Sequence, residues 1–303
     1  MAIESIKNEV ISIDIKDCTL VVSSCDAYED LWPAFFKILS IEWPNIECPI
    51  VLNTESKSYN YPGLDIRTFR MYHPGEKIPW SRRLRETLEK IESKYIIFML
   101  DDFFLQGTVD TKRLKQCLDS MEQNNRIVSF CFMETFSSNV KDERYIQFER
   151  RPLIAPYKLN CQAALWRRTS FIKYLKKDEN PWEWETMGNW RTYRYPRDIF
   201  YSQIPNGDYI FPYIYKANGI NWGGLALYRG KWYLPYVEPL FKKHDIEMNF
   251  SVRGTVKDIE FVPSVRKKKS DYTGIKRKLY WLIQIYIAIM ALIHFLKNIK
   301  HFL

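Results

Sequence analysis

No CxxC pair occurs among the six cysteines, which stand at 18, 25, 48, 117, 131 and 161. They read as reduced core thiols of a cytosolic chain rather than as a disulfide framework. The opening stretch MAIESIKNEVISIDIKD is mixed and charged, with no apolar run, so no cleavable signal is expected. No internal repeat is visible, and no zinc-finger spacing or other nucleic-acid signature accompanies the basic residues. A long hydrophobic run is missing until residue 279.

What is present fits one large α/β domain. The chain has 303 residues, 46% hydrophobic and 27% charged, enough for a sizeable core. Aromatics reach 16% and concentrate between Tyr145 and Tyr236. That excess suits either a sugar-stacking cleft or an aromatic core. Net charge is +9, and its placement is informative. Arg266, Lys267, Lys268 and Lys269 are followed by Lys276, Arg277 and Lys278, opposed only by Asp271. Immediately after comes LYWLIQIYIAIMALIHFL, residues 279–296, with Lys297 and Lys300 beyond it. Basic residues beside an apolar helix point to an anionic membrane surface and not to nucleic acid. Eighteen residues give roughly 27 Å of helix, so a short membrane span and an interfacial helix both remain open.

Along the first 125 residues strand and helix signals alternate. CTLVVSS (18–24), PIVLN (49–53), Ile66–Phe69 and YIIFML (95–100) read as strands, and Tyr28–Leu39, Ser81–Glu92 and Val109–Met121 as helices, with Ser81 as an N-cap. Such alternation predicts an α/β, doubly wound, mostly parallel sheet, with ligands at the carboxyl ends of the strands. From about Ile127 strand-like pieces alternate with polar, aromatic-rich loops, densest in PWEWETMGNWRTYRYPR (181–197). The expected organisation is a catalytic domain over 1–260, divided into a donor half (18–125) and an acceptor half (127–260). A basic linker (261–278) and a membrane-associated helix (279–303) follow.

Asp101 and Asp102 end the apolar strand 95–100. Two adjacent carboxylates at the end of a buried strand are costly unless something positive sits there. A divalent cation bridging a diphosphate meets that need, and Mg²⁺ or Mn²⁺ prefers such hard oxygen ligands.

Four segments resemble glycosyltransferases of the GT-A fold, in particular bacterial capsule and exopolysaccharide enzymes. VVSSCDAYEDLW (21–32) is similar to the first strand and its nucleotide-binding loop, and WSRRLRETL (80–88) to the helix approaching the donor. YIIFMLDDFFL (95–105) resembles the strand leading to the metal-binding acidic motif, and NCQAALWRR (160–168) a later strand near the acceptor. The acidic motif departs from the common Asp-x-Asp form, since Leu100 precedes Asp101. The resemblance implies that Asp102 contacts the metal and Asp101 the ribose or sugar. It implies that Asp26 reads the base, frequently uracil, although Asp26 also suits a helix cap. It makes His244 a candidate further metal ligand.

The resemblance also makes Arg82 or Arg83 a candidate for the diphosphate, which a guanidinium grips in a bidentate way, although either also suits a solvated helix face. An inverting reaction also needs a general base. Glu183 and Glu185 are the first candidates, because alternate positions of an extended loop share a side and Trp182 and Trp184 would dry them; Asp198 is the third. The expected function is transfer of a sugar from a nucleoside-diphosphate sugar, a UDP-sugar first, to a lipid-linked glycan at the cytoplasmic membrane face. A nucleotidyltransferase would share the acidic site but usually carries a Gly- and Arg-rich loop after the first strand, where this chain has SSCDAYED. A non-catalytic membrane-surface module is the remaining reading.

Overall fold

The computed structural model describes residues 14–257 apart from 136–138, 205–207, 218–219 and 225, together with residues 282, 285, 286 and 289. The expected basic linker and most of the expected membrane helix lie outside the described residues. Among the described residues no helix is long and apolar enough to cross a membrane.

A nine-stranded sheet organises the chain. Its strands are β1 (Cys18–Ser23), β2 (Ile50–Asn53), β3 (Ile66–Arg67), β4 (Tyr95–Leu100), β5 (Ile127–Cys131), β6 (Val140–Lys141), β7 (Phe148–Arg150), β8 (Ala164–Arg167) and β9 (Ile199–Gln203). They lie in the order β3-β2-β1-β4-β8-β5-β9-β7-β6. β1, β2, β3 and β4 run parallel, with Ser23 level with both Asn53 and Leu100. β8 enters antiparallel between β4 and β5, which restores the original direction in β5 and β9. Every residue of β1 is buried, as expected of a parallel strand covered on both faces.

The covering helices are α1 (Trp32–Glu42), α2 (Trp80–Lys90), α3 (Thr111–Gln123), α4 (Arg168–Tyr174), α5 (Pro181–Thr186) and α6 (Leu234–Lys243). Side chains of α1, α3 and α6 pack with Leu20, Val22 and Ile97 on one face. Those of α2, α4 and α5 pack with Val21, Ile96 and Phe98 on the other. The alternation within β1 and β4 therefore feeds two cores, and the sheet is doubly wound; it is mixed and not mostly parallel as expected, since β4-β8, β8-β5, β9-β7 and β7-β6 are antiparallel.

Local signals explain most helix starts. Asp110 caps α3 by accepting from Arg113 N at 2.8 Å. Pro33 sits in the first turn of α1, where its missing N–H costs nothing. Ser81 is not the cap of α2: Pro79 takes that place, and Ser81 Oγ instead accepts from Glu179 N at 2.8 Å. The aromatic excess goes largely into the cores. Trp184 is fully buried on Phe171 and Trp166, with its Nε1 bonded to the Tyr174 carbonyl at 3.0 Å. Burying a side chain of this size contributes roughly 3 kcal/mol.

Two small sheets complete the chain. β10 (Ile214–Ala217) and β11 (Ile220–Gly223) form a hairpin, while β12 (Leu227–Tyr228), β13 (Lys231–Tyr233) and β14 (Thr255–Val256) form a three-stranded piece.

Candidate functional site

β1 and β4 are neighbours and parallel, so the residues that follow them emerge side by side. Ser24 hydroxyl donates to Asp101 Oδ2 and accepts from Trp32 Nε1 at 2.8 Å. Asp101 is 4% exposed. Burial pushes its carboxyl up to about 7, against the pull of the Ser24 and Trp32 hydrogen bonds. Asp102 is driven well above the usual carboxylate range, first by burial and then by the charge of Asp101. Its Oδ1 is buried with no hydrogen-bond partner. An unpartnered buried carboxylate oxygen beside a second carboxylate is an expensive arrangement. It fits a cation or a hydrogen-bonding ligand group.

Positive charge approaches from two sides. Arg83 is buried beneath the loop, donates from Nη2 to the Ser24 carbonyl at 2.5 Å, and pairs with Glu55. Burial lowers its pKa, and its Nε has no partner. Arg253 binds Asp30 through Nε at 2.6 Å and lies over the Tyr28 ring, 4.3 Å from its centroid. Its charge reaches Asp101, and those of Asp102 and Asp101 reach Tyr28. No sequence pattern singles out Arg253 or Glu55. Arg253 is brought in by pairing with a residue 223 positions earlier, which no local pattern signals.

The third wall comes from α5. Glu185 Oε1 accepts from Cys161 N at 2.7 Å. Burial pushes Glu185 up to about 6, against that hydrogen bond. The Cys161 thiol is raised far above its ordinary range, by burial first and then by Glu185, with the charge of Asp102 also reaching it. The charges of Glu185 and Asp102, on different elements, thus both reach Cys161.

Gly224 seals the loop beyond the acid pair. Its φ is +61°, and an added Cβ would stand 1.9 Å from Phe103 Cδ1. Phe103 is itself buried and stacked on Tyr213 at 4.6 Å.

Several expected site residues lie elsewhere. Asp26 accepts from Ser56 Oγ at 2.6 Å and from the N–H groups of Ser56 and Lys57, both at 3.1 Å. Burial works to raise its pKa, but these bonds outweigh it and lower the net value. Asp26 thus braces the 54–57 loop instead of offering a free carboxylate to a base. Arg82 faces outward and pairs with Asp178 at 2.6 Å. Glu183 does not share a side with Glu185, because 181–186 is helical and not extended. Residues two apart in a helix point about 200° from each other. Glu183 closes a capping box with Asn180, with Oε2 accepting from Asn180 N at 3.1 Å.

Asp198 precedes β9, which runs parallel to β4, whereas Asp101 follows β4. They lie at opposite ends of the sheet, roughly 20 Å apart along the strands. Asp198 instead binds Lys173 Nζ and Tyr174 Oη, each at 2.5 Å. His244 caps α6 and meets Glu42 at 3.2 Å. Glu42 ends α1 and Trp32, which touches the site, begins it. Ten residues of helix separate them by roughly 15 Å, so His244 is no ligand of a metal at Asp102. Among the described residues no cluster of three or more His, Cys, Asp or Glu stands ready for a metal. A cation here would draw one or two ligands from the acid pair and the rest from substrate and water.

No protein-family model matches the chain, and no curated protein matches it. Among solved structures it is similar to S. aureus TarS, at 9% identity over 63% of this chain and 36% of that one, TM-score 0.41. It is also similar to a CMP:2-keto-3-deoxy-manno-octonic acid synthetase complexed with CTP, at 13% identity, 61% and 88% coverage and TM-score 0.34. A cytidylyltransferase from Leptospira borgpetersenii serovar Hardjo-bovis gives 13% identity, 80% and 99% coverage and TM-score 0.38. The chain spans little more than a third of the TarS chain. Likenesses this loose carry no functional argument.

Proposed function

We propose that the chain is a glycosyltransferase that moves a sugar from a nucleoside-diphosphate sugar, a UDP-sugar first, to a hydroxyl of a lipid-linked glycan. The observation that carries this reading is the unpartnered, buried Oδ1 of Asp102 beside buried Asp101. It lies where parallel strands β1 and β4 end, the usual ligand-binding edge of such sheets. Asp102, with Asp101 behind it, would hold Mg²⁺ or Mn²⁺, whose charge would neutralise the departing diphosphate.

The chain's own residues supply the rest. Arg83, beneath the Ser24 carbonyl, keeps positive charge under the loop that receives the donor. Arg253 and Tyr28 form its outer wall. Glu185, raised to about 6, is poised as general base. The acceptor oxygen attacks the anomeric carbon as its proton passes to Glu185. The bond from that carbon to the phosphate oxygen breaks, and the nucleoside diphosphate leaves with the electron pair.

The test is titration of the protein with UDP, with and without Mn²⁺, in wild type and in Asp102→Asn. Metal-dependent binding that disappears in the folded variant supports the reading. Failure of wild type to bind UDP or any other nucleoside diphosphate removes it.

A further inference from the structure

Helical residues 282, 285 and 289 carry Leu, Ile and Ile side chains that are 60%, 52% and 50% exposed. The spacing i, i+3, i+7 places them on one stripe. Tyr286, on the adjoining side of that helix, is fastened to the folded domain. Its hydroxyl bonds Tyr193 Oη at 3.0 Å and the Ile154 carbonyl, and its ring lies 5.5 Å from Trp190. The domain surface at this junction is itself apolar: Leu153, Ile154 and Trp190 are all exposed.

From this we infer that helix and domain together form one membrane-docking face, seated flat in the interface of an anionic bilayer. Three observations select that occupant and that pose. The first is depth. The apolar segment runs over 279–296, so Tyr286 stands near its middle. Were the segment to cross a hydrocarbon layer of about 30 Å, Tyr286 would sit near the midplane. The Ile154 loop and exposed Arg194, one residue from Tyr193, would be drawn in with it. Lipid-exposed loop backbone and an arginine do not tolerate that depth.

The second is chemistry. Aliphatic side chains beside Trp and Tyr rings are the composition of an interfacial surface, apolar on one side and wet on the other. The third is charge. Seven Lys and Arg within 266–278, opposed only by Asp271, precede the apolar segment 279–296 in the sequence, and Lys297 and Lys300 follow it. Such a run selects anionic headgroups.

The same face borders the candidate base. Glu185, Asn189, Trp190, Tyr157 and Tyr286 line one small cavity. If the proposed transferase reading holds, the membrane-facing surface lies beside Glu185, the side from which a lipid-linked acceptor would approach.

The experiment uses full-length protein and preformed vesicles, with neither donor nor acceptor, so its result is independent of the enzymatic reading. Vesicles of phosphatidylcholine with phosphatidylglycerol should sediment the protein, and pure phosphatidylcholine should bind it at least about tenfold more weakly. Ile154→Glu and Leu282→Glu, both at exposed positions, should each weaken binding about tenfold with unchanged circular dichroism. Brominated lipids labelled near the headgroup should quench fluorescence more than those labelled at the chain ends, and Trp190→Phe should remove that difference. Quenching strongest from the bilayer centre overturns the flat pose. Wild-type binding by Ile154→Glu overturns the joint face. Absence of vesicle binding, with self-association abolished by the same two substitutions, shows that the face pairs two copies of the chain and overturns the membrane assignment.

Discussion

Gly224→Ala is the substitution whose cost can be worked most directly from the site. Two penalties add. The backbone at Gly224 has φ of +61°, and a residue with a Cβ in that region costs roughly 1–2 kcal/mol. The new methyl would also stand 1.9 Å from Phe103 Cδ1. Phe103 has little room to yield, being buried and stacked on Tyr213. Overpacking of this kind costs roughly 1–3 kcal/mol. The expected total is roughly 2–5 kcal/mol, or a Tm lower by roughly 5–10 °C for a chain of this size. Gly230→Ala is the matched control. Gly230 has φ of +79° with nothing within 4 Å of an added Cβ, so it carries the backbone penalty alone. Denaturant unfolding of wild type and both variants isolates the clash as their difference. Because Phe103 directly follows Asp102, only Gly224→Ala should also weaken metal-dependent UDP binding. Equal destabilisation by the two alanines, or an undisturbed UDP affinity in Gly224→Ala, would refute the argument that Gly224 clamps the loop of the acid pair.

Three further outcomes are expected. With Glu185 held near 6, kcat/KM for transfer should fall as pH drops through that value. In Glu185→Gln this limb should vanish and kcat should be roughly 10²–10⁴-fold lower. A raised folded-state pKa favours folding below the unfolded value and loses that favour as pH rises through about 6. Glu185→Gln should therefore be more stable than wild type by up to roughly 2 kcal/mol at neutral pH, and equal to it under acid conditions, in unfolding titrations. His244→Ala should leave Mn²⁺ affinity unchanged by calorimetry, since His244 lies beside Glu42 at the far end of α1.

How far the sequence revealed this site depended on the range of the signal. The run YIIFML before Asp101 announces a buried strand by composition alone, and its end is where the acid pair stands. The two windings of the sheet follow from the same alternation. By its alternation PWEWET reads as extended, which puts Glu183 and Glu185 on one side, whereas the segment is helical. Yet Asn180-Pro181-Trp182-Glu183 is a helix start written out: a cap, a first-turn proline, and an acid three residues on. Read that way, it assigns Glu183 to the cap and turns Glu185 elsewhere. Asp198, His244 and Arg253 were beyond local reading. Their roles depend on strand direction, on the length of α1, and on a contact to Asp30 that only the folded chain makes.

Strand β8 has a consequence for how the chain is assembled. β4 pairs with β1 on one edge and with β8 on the other, and β5 reaches the sheet only through β8. During synthesis β1 to β4 can therefore join early, but the outer edge of β4 waits for residues 164–167. Until they arrive, that edge is a row of unpaired backbone groups along an apolar strand, the kind of surface that recruits other chains. The segments on either side of β8 are thus two parts of one sheet, joined by a non-local pairing of the kind that slows folding. A cut near residue 125 would not release a self-sufficient small domain. It would leave the acid pair at the end of an open strand.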